Sequence, residues 1–401
     1  MLVFRDRLGQ QLELAPIPGD TIASLLLRHR IPANSTIVSC EGQPVPDSTA
    51  VDPTVSYEAH LIEGYDILAI LDTLTQLNKS QGDGAVYVKS ILEMGEHGAM
   101  TVAQQPLSLN QVADHVERTV ADTCREFRLV EGGDKVLLGL SGGVDSGSLL
   151  LALSQARHTL PSFELAAVTF EDFDSSKSPT FSQAKELAAA SGVSHFIAPG
   201  TLAQDTFHLN RPLVEILPAL METESAHFVM YLDHHTTRRT LEVFAEQHGF
   251  NKIALGLHTT DLIAGLLNGF TTGYVSADLP LRRVGAQTYI YPLSFVHKRE
   301  LHLYQLERMG RLSRHTSPNP WERNPLDRNF YYYLADMLQT FWPGLEAMLF
   351  MAHSQRLSRQ PSLKFETCPN CGSALLHQPF TIAPGAECDA CMIFRRYGYL
   401  D

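Results

Sequence analysis

Short apolar runs alternate with helix-length stretches through the middle of this chain. The runs occupy residues 136–140, 165–170, 195–197 and 252–256. Continuous apolar runs are typical of strands that are buried on both faces of a parallel sheet. Helical patterns at 181–190 and 240–248 lie between them. This alternation predicts an α/β fold with a doubly wound parallel sheet, whose ligands bind beyond the carboxyl ends of the strands.

The loop after the first run carries the strongest chemical signal. The sequence Ser141-Gly142-Gly143-Val144-Asp145-Ser146 stands between the apolar strand and a predicted helix at 147–156. Backbone N–H groups in such a turn, together with the helix dipole, form an anion site. The motif is not a Walker A loop, because no Gly-Lys-Ser/Thr follows it. An ordinary strand-to-helix turn is the alternative interpretation.

This loop resembles the Ser-Gly-Gly-x-Asp-Ser signature of the PP-loop (N-type) ATP pyrophosphatases. The resemblance implies that ATP is cleaved to AMP and pyrophosphate, with AMP carried on a substrate oxygen. It also implies that Ser141, Gly142, Gly143 and Ser146 hold the phosphates. Asp145 would orient the loop or ligate Mg²⁺, which takes few protein ligands and completes its shell with phosphate oxygens.

Further residues resemble the tRNA-thiolating members of that family, the 2-thiouridine and 2-thiocytidine synthases. The segment 255–261, then 291–293 and 298–300, follow their layout over roughly residues 108–401. Asp261 matches the second Asp of their Gly-His-Asn-x-Asp-Asp segment, whereas Thr260 replaces the first. The resemblance makes Asp261 a candidate for the Mg²⁺ or phosphate region and Lys298 a candidate phosphate contact. A helix N-cap and a surface lysine are the respective alternatives.

Many of those enzymes hold an iron–sulfur cluster, or relay a persulfide, with a Cys-x-x-Cys before an Arg-Arg pair. Here Tyr231 and His234 stand where those cysteines would be, ahead of Arg238-Arg239. We therefore expect no iron–sulfur cluster at the usual family site. We hypothesise instead that His234, helped by His235 or Asp233, acts as a base or binds a single metal. Partly exposed helix histidines are the alternative.

Four of the six cysteines form two Cys-x-x-Cys pairs near the end of the chain, Cys368 with Cys371 and Cys388 with Cys391. This spacing predicts a ribbon that holds structural Zn²⁺ with four thiolates. A redox dithiol is the alternative. Metal-binding cysteines indicate a reducing compartment, and we expect a cytoplasmic protein.

The chain is predicted to divide into several parts. Residues 1–74 are predicted to form a hairpin at 2–14, a helix capped by Asp20, and strands at 36–38, 57–61 and 67–71. This order resembles the β-grasp fold of ubiquitin-like sulfur carriers. Those carriers act through a free Gly-Gly C-terminus, which is missing here, so we expect a docking or architectural role. The predicted divisions are 1–74 (β-grasp), 75–107 (linker with one short element), 108–312 (PP-loop domain), 313–360 (helical segment) and 361–401 (zinc ribbon). Ser108 and Gln111 form a predicted capping box at the start of the PP-loop domain, and Pro343-Gly344 is a predicted break in the helical segment.

Composition changes the picture in one respect. A hydrophobic content of 44% and a charged content of 19% are typical of a globular protein, with neither a signal peptide nor a membrane span. The net charge of −13 argues against a nucleic-acid partner. However, residues 282–328 contain nine basic and four acidic residues with Trp321 among them, and Tyr331 follows. This stretch is either a polyanion-binding surface or a solvated helical face.

The residues and the resemblance together predict an enzyme that adenylates a carbonyl oxygen on a nucleobase for replacement by sulfur. A tRNA base is the favoured substrate, with ATP and Mg²⁺ as cofactors and a sulfur donor protein or carrier as partner. A homodimer is possible, and no membrane partner is expected. Thionation of a free purine or metabolite carboxylate is one alternative. A non-catalytic nucleotide-binding scaffold in a sulfur-transfer complex is another.

Overall fold

The computed structural model describes residues 2–5, 11–31, 36–61, 87–94, 100–171, 179–224, 226–272, 279–284, 287–310, 328–358, 365–376 and 386–400. The first part is a five-stranded sheet with one helix. Its elements are β1 (Leu2–Arg5), β2 (Gln11–Leu14), α1 (Ile22–Arg28), β3 (Thr36–Cys40), β4 (Gln43–Val45) and β5 (Tyr57–Leu61). The strand order is β2-β1-β5-β3-β4, and only the β1–β5 pair is parallel.

The β-grasp assignment of this N-terminal sheet stays a prediction. The hairpin of β1 and β2 and the strands at β3 and β5 lie where the sequence indicated them. Helix α1 begins with a capping box between Thr21 and Ser24, one residue after the expected cap Asp20. The last expected strand, at 67–71, lies outside the described residues.

A long hairpin occupies the second half of the predicted linker. Strands β6 (Tyr87–Met94) and β7 (Met100–Leu107) pair antiparallel over their whole length. Tyr87 and Leu107 are buried in the same apolar cluster as the central domain. An isolated two-stranded hairpin is only marginally stable, and this one is stabilised because its apolar side chains pack into the core of the central domain.

The central domain follows directly. Its elements are α2 (Leu109–Glu126), β8 (Lys135–Gly139), α3 (Val144–Ala156), β9 (Glu164–Phe170), α4 (Pro179–Ser191), β10 (Ser194–Ala198), α5 (Thr201–Phe207), α6 (Leu213–Leu220), α7 (Ala226–His248), β11 (Lys252–Ala254), α8 (Thr259–Thr272), β12 (Leu281–Val284), β13 (Gln287–Ile290) and α9 (Lys298–Met309). Helix α2 begins with the predicted capping box of Ser108 and Gln111.

The six strands confirm the predicted doubly wound parallel sheet. Their order is β10-β9-β8-β11-β13-β12, and every neighbouring pair is parallel except β12–β13 at the edge. The chain winds outwards from β8 in one direction and then returns to place β11 on its other side. The point between β8 and β11 is therefore the topological switch point, where loops diverge and leave a crevice.

The C-terminal part contains three helices and a small hairpin. These elements are α10 (Arg328–Phe341), α11 (Leu345–Ser358), β14 (Phe365–Thr367), β15 (Ala374–Leu376) and α12 (Asp389–Arg396). The break between α10 and α11 lies at Pro343-Gly344 as expected, and Gly344 has a positive φ of 86°. Within the described ranges, no helix is both long and apolar enough to cross a lipid bilayer.

Alternate residues of β8 face opposite layers of the core. Val136 and Leu138 pack with α2, α3 and α9, whereas Leu137 packs with α7, α8 and α10. Both faces of the sheet are therefore covered by helices, which explains the continuous apolar runs in the sequence.

A buried ion pair lies at the amino ends of the strands, and we expect it to contribute to stability and not to ligand binding. Lys252 Nζ lies 2.7 Å from Asp134 Oδ2 and donates to Leu129 O at 2.9 Å, and the two side chains are only 9% and 10% exposed. Lys252→Met leaves the carboxylate buried without its cation, so we expect the free energy of unfolding to fall by about 3 kcal/mol. Urea unfolding measures this, and nucleotide affinity should not change.

Lys135→Met is the matched control, since its ion pair with Glu164 is more than half exposed on both sides. We expect that variant to lose less than about 1 kcal/mol. Equal losses in the two variants would contradict the assignment of the buried pair to stability.

Candidate nucleotide site and thiolate cluster

The loop between β8 and α3 forms a tight cradle at the carboxyl end of the sheet. The Ser141 N–H donates to Ser146 Oγ at 3.2 Å, and the two hydroxyl oxygens are 3.0 Å apart. The Gly143 N–H donates to Ser141 Oγ at 3.3 Å, and Gly142 has a φ of 81° that favours glycine. Helix α3 then begins, with Gly143 as its N-cap. Its first N–H groups have no partner within the helix, so they can bind an anion.

A second loop closes the crevice against this cradle. After β11 the chain passes so near the first loop that a Cβ on Gly256 would lie 2.8 Å from Ser146 N and 2.9 Å from the carbonyl carbon of Asp145. These contacts are to backbone, which cannot move aside as a flexible side chain can. Glycine is therefore required at this position for the two loops to meet. The sequence showed this glycine within a family segment but gave no reason for it.

Lys298 supplies a cation to the cradle. Its Nζ lies 2.6 Å and 2.7 Å from the two carboxylate oxygens of Asp145, although the residues are 153 positions apart. The side chains are 21% and 34% exposed, so the pair lines an open crevice. Burial by itself would raise the pKa of Asp145, but the Lys298 ammonium and the nearby His258 lower it to about 2. The loop therefore holds a carboxylate and an ammonium side by side.

Two buried histidines, His302 and His258, lie near the Lys298–Asp145 pair. His302 lies one helical turn after Lys298, and burial and the Lys298 charge lower the pKa of His302 to about 3. It is therefore neutral at physiological pH. His258, in the second loop, is also buried. Neither histidine was predicted from the sequence as a site residue. For His302, the only signal was its spacing of four residues from Lys298 along one helix.

Asp261 lies at the start of α8 with both carboxylate oxygens engaged. Oδ2 accepts from the His258 N–H at 3.2 Å, and Oδ1 accepts from the Tyr332 hydroxyl of α10 at 2.5 Å. Asp261 is the third residue of α8 and accepts from the backbone N–H of the residue before the helix, as the third residue of a capping box does, so it is not the N-cap itself. The Tyr332 contact ties it to the C-terminal helices. Its role at Mg²⁺ or phosphate stays a prediction.

His234 and His235 of α7 have different surroundings. The side chain of His234 is exposed, whereas His235 lies between Arg238, at 3.4 Å from its Nδ1, and Cys371. Burial raises the pKa of Asp233 to about 6. The catalytic role of His234 stays a prediction, and His227 and Tyr231 have side chains outside the described ones.

The four C-terminal cysteines meet in one buried cluster. The sulfur atoms of Cys368, Cys371, Cys388 and Cys391 lie within 4.8 Å of one another. The Cys388 N–H donates to Cys368 Sγ and the Asn370 amide donates to Cys391 Sγ, each at 3.3 Å. N–H donors to sulfur stabilise thiolates. The cluster therefore has the donor set of a metal centre.

This thiolate cluster is attached to α7. Arg239 Nε donates to Cys371 O at 2.8 Å, and a Cβ on Gly372 would lie 2.9 Å from the Arg239 guanidinium. Arg239 also pairs with Glu242 of the same helix at 3.1 Å. The predicted Arg pair is thus next to cysteines, but they come from the C-terminal part of the chain.

Part of the basic stretch at 282–328 points inwards among the residues that the structure describes. Three of its cations have internal partners, because Lys298 pairs with Asp145, Arg299 with Asp47 and Arg308 with Glu117. The residues at 311–327, including Trp321, lie outside the described ranges. The two interpretations of this stretch, a polyanion-binding surface and a solvated helical face, both stay predictions.

Sequence comparison with known proteins assigns this chain to a family. The chain is 30% identical over 217 residues to the tRNA-cytidine(32) 2-sulfurtransferase of Pseudomonas fluorescens (strain SBW25), covering 52% of this chain and 70% of that protein. It is 32% identical over 210 residues to the protein of the same name from Pseudomonas syringae pv. tomato, covering 49% of this chain and 69% of the relative. The chain belongs to the tRNA-cytidine(32) 2-sulfurtransferase family.

The likeness to this family is partial in length. With the family member of Stenotrophomonas maltophilia (strain K279a), at 32% identity over 198 residues, the match covers 48% of this chain and 59% of that protein. The chain thus spans less than two thirds of some relatives, and about half of it is matched. No protein-family model matches the chain.

A solved structure supports the fold and corrects one expectation. The U34-tRNA thiolase NcsA from Methanococcus maripaludis, solved with its [4Fe-4S] cluster, is 17% identical, with a TM-score of 0.52 over 78% of this chain and 95% of that one. We expected structural zinc at the four cysteines and no iron–sulfur cluster at the usual family site. That expectation is wrong, because a neighbour of the same fold carries such a cluster and this chain brings four cysteines together. Two Cys-x-x-Cys pairs specify thiolates without selecting the metal.

Gly256→Ala tests the contact between the two loops. The added Cβ has to displace the backbone at Ser146, so we expect affinity for ATP to fall at least about tenfold while the sheet stays folded. Gly265→Ala in α8 is the matched control, because nothing lies within 4 Å of its Cβ position. Calorimetric titration with ATP measures both. Normal ATP affinity in Gly256→Ala would show that the loop does not form the nucleotide site.

Proposed function

We propose that the chain uses ATP to activate a carbonyl oxygen of a tRNA nucleobase for replacement by sulfur. Membership of the family supports the substrate and reaction class, and the cradle at the switch point supports ATP. In this reaction the carbonyl oxygen attacks the α-phosphorus of ATP, and pyrophosphate leaves. A sulfur nucleophile then displaces AMP together with the original oxygen.

The observation that carries the proposal is the cradle itself. Ser141, Gly142, Gly143 and Ser146 surround the N-terminus of α3, where N–H groups stabilise the charge of the departing pyrophosphate. Lys298 adds a mobile ammonium that can leave Asp145 for a phosphate. Asp145, held ionised, would then be a ligand for Mg²⁺, which would supply positive charge next to the phosphates. In this proposal the cation and the carboxylate exchange partners when nucleotide enters.

The other parts of the chain have supporting roles in this proposal. We assign residues 1–74 to an N-terminal domain, 75–107 to a connection, 108–312 to the PP-loop domain, 313–360 to a helical segment and 361–401 to a cysteine ribbon. A separate donor protein supplies the sulfur, in the cytoplasm. The catalytic roles of Asp261 and His234 and a homodimer stay predictions. None of the observations favours a free small molecule or a non-catalytic scaffold.

Pyrophosphate release tests the function directly. We expect the purified protein to release pyrophosphate from ATP with bulk tRNA, and to release much less with free nucleobases or with ATP alone. Ser146→Ala should lower the rate at least about tenfold because it removes a hydroxyl from the cradle. Ser154→Ala, a buried serine at the other end of the same helix, should not. Release that depends on free nucleobases and not on tRNA would contradict the tRNA substrate.

The thiolate cluster is proposed to hold a metal centre. Protein purified without oxygen should contain metal bound by the four thiolates, and Cys391→Ser should lose most of it because one ligand is removed. Iron, acid-labile sulfide and total metal are measured per chain. Cys124→Ser is the control, since Cys124 is buried in α2, away from the cluster. Undiminished metal in Cys391→Ser would place the metal elsewhere.

A further inference from the structure

Three consecutive residues at the start of α9 contact three different parts of the chain. Lys298 binds the loop at Asp145, Arg299 binds the N-terminal sheet at Asp47, and Glu300 binds the hairpin at Lys89. The first turn of α9 is therefore the junction between the N-terminal sheet and the nucleotide cradle.

The contact with the N-terminal sheet is a buried bidentate ion pair. Arg299 Nη1 and Nη2 donate to the two oxygens of Asp47, each at 3.0 Å, and the side chains are 3% and 1% exposed. Nη1 also donates to Thr36 O at 3.0 Å, and the guanidinium lies 5.3 Å from the centroid of the Tyr87 ring. A planar guanidinium held by a carboxylate, a carbonyl and a ring has little freedom to rotate or shift.

The contact with the hairpin fixes the same turn from its other side. Glu300 is fully buried, and its Oε1 accepts from Lys89 Nζ at 2.9 Å. Its Oε2 accepts from the His297 N–H at 2.9 Å, which closes the N-terminus of α9. Burial would raise the pKa of Glu300, but Lys89 and the neighbouring histidines lower it to about 2. The carboxylate therefore stays charged and keeps both contacts.

These contacts limit where Lys298 can go. The backbone at the start of α9 cannot move without breaking an ion pair in a dry interior, which is costly. The Lys298 ammonium is thereby held next to Asp145, while its own flexible stem still lets it turn towards a phosphate. A different possibility is that Arg299 and Asp47 only attach the N-terminal sheet and have no effect on nucleotide.

We propose that Asp47, acting through Arg299, is a positioning residue for Lys298, so that the N-terminal sheet is a fixed part of the nucleotide site. The proposal rests on the proposed function, in which Lys298 contacts the phosphates of ATP. A sheet with this role stays docked through the reaction. It differs in this from a carrier domain that leaves to deliver sulfur.

A double-mutant cycle on nucleotide affinity tests the proposal in the full chain. Calorimetry with ATP and Mg²⁺ is carried out on Asp47→Asn, Lys298→Met and the double variant. We expect Lys298→Met to weaken binding about 10- to 100-fold through loss of a charge-assisted contact. Asp47→Asn should weaken it about fivefold or more. In the Lys298→Met background, Asp47→Asn should have no further effect, which a merely structural role would not produce.

Two further variants make the test specific. Asp52→Asn removes an exposed carboxylate from the same N-terminal domain, where it contacts Thr54, and should leave affinity unchanged. Arg299→Lys keeps the charge but loses the bidentate geometry, so we expect it to weaken ATP binding as Asp47→Asn does. It takes the place of Asp47→Asn in the test if Asp47→Asn folds poorly. Thermal unfolding of every variant separates lost stability from lost affinity.

The outcomes distinguish this proposal from the function on which it rests. If Lys298→Met leaves ATP affinity unchanged, Lys298 does not contact the phosphates. The positioning role of Asp47 is then wrong, and so is the part of the proposed function that was assigned to Lys298. If Lys298→Met weakens binding but Asp47→Asn and Arg299→Lys do not, only the positioning role is overturned. Equal effects of Asp47→Asn in the two backgrounds also overturn it, because they would show that Asp47 acts independently of Lys298.

Discussion

The candidate site depends on one close approach between two backbones. The loop after β8 and the loop after β11 meet at the point where the strand order reverses, and Gly256 lets them come together. A parallel sheet leaves a crevice at this point for geometric reasons. The described residues that meet there supply N–H groups, two hydroxyls and one ion pair. An anion site therefore follows from the topology, and its chemistry follows from a few residues on two loops.

The protein is acidic overall, so the Lys298 cation at the site matters more for binding a polyphosphate. The chain carries a net charge of −13, so a polyphosphate approaching it meets an unfavourable field overall. Lys298 compensates locally, and it does so from a helix whose first turn is held by buried charges on the next two residues, Arg299 and Glu300. Three charged contacts thus converge on the first turn of α9. They hold a cation at the cradle of an acidic protein.

The sequence was sufficient for those elements whose signal is local. The strand–loop–helix unit at Ser141 to Ser146 and the capping box at Ser108 each depend on residues a few positions apart. Contacts between distant residues could not be predicted in this way. Asp47 and Arg299 are separated by 252 positions, and each alone resembles an ordinary surface charge.

Other features were hidden for different reasons. Strands β12 (Leu-Arg-Arg-Val) and β13 (Gln-Thr-Tyr-Ile) mix polar and apolar residues, so they lack the continuous apolar run that indicated β8 and β9. The basic stretch looked like one surface because composition does not show which charges have internal partners. The cysteine spacing specified four thiolates, but the choice of metal depends on the surrounding protein and on what the cell supplies.

A structure with a non-hydrolysable ATP analogue and Mg²⁺ tests the central claim most directly. The account predicts that the phosphates lie within hydrogen-bonding distance of the N–H groups between Ser141 and Ser146, with Lys298 Nζ turned from Asp145 towards them. An analogue bound elsewhere, or phosphates pointing away from the start of α3, would contradict it.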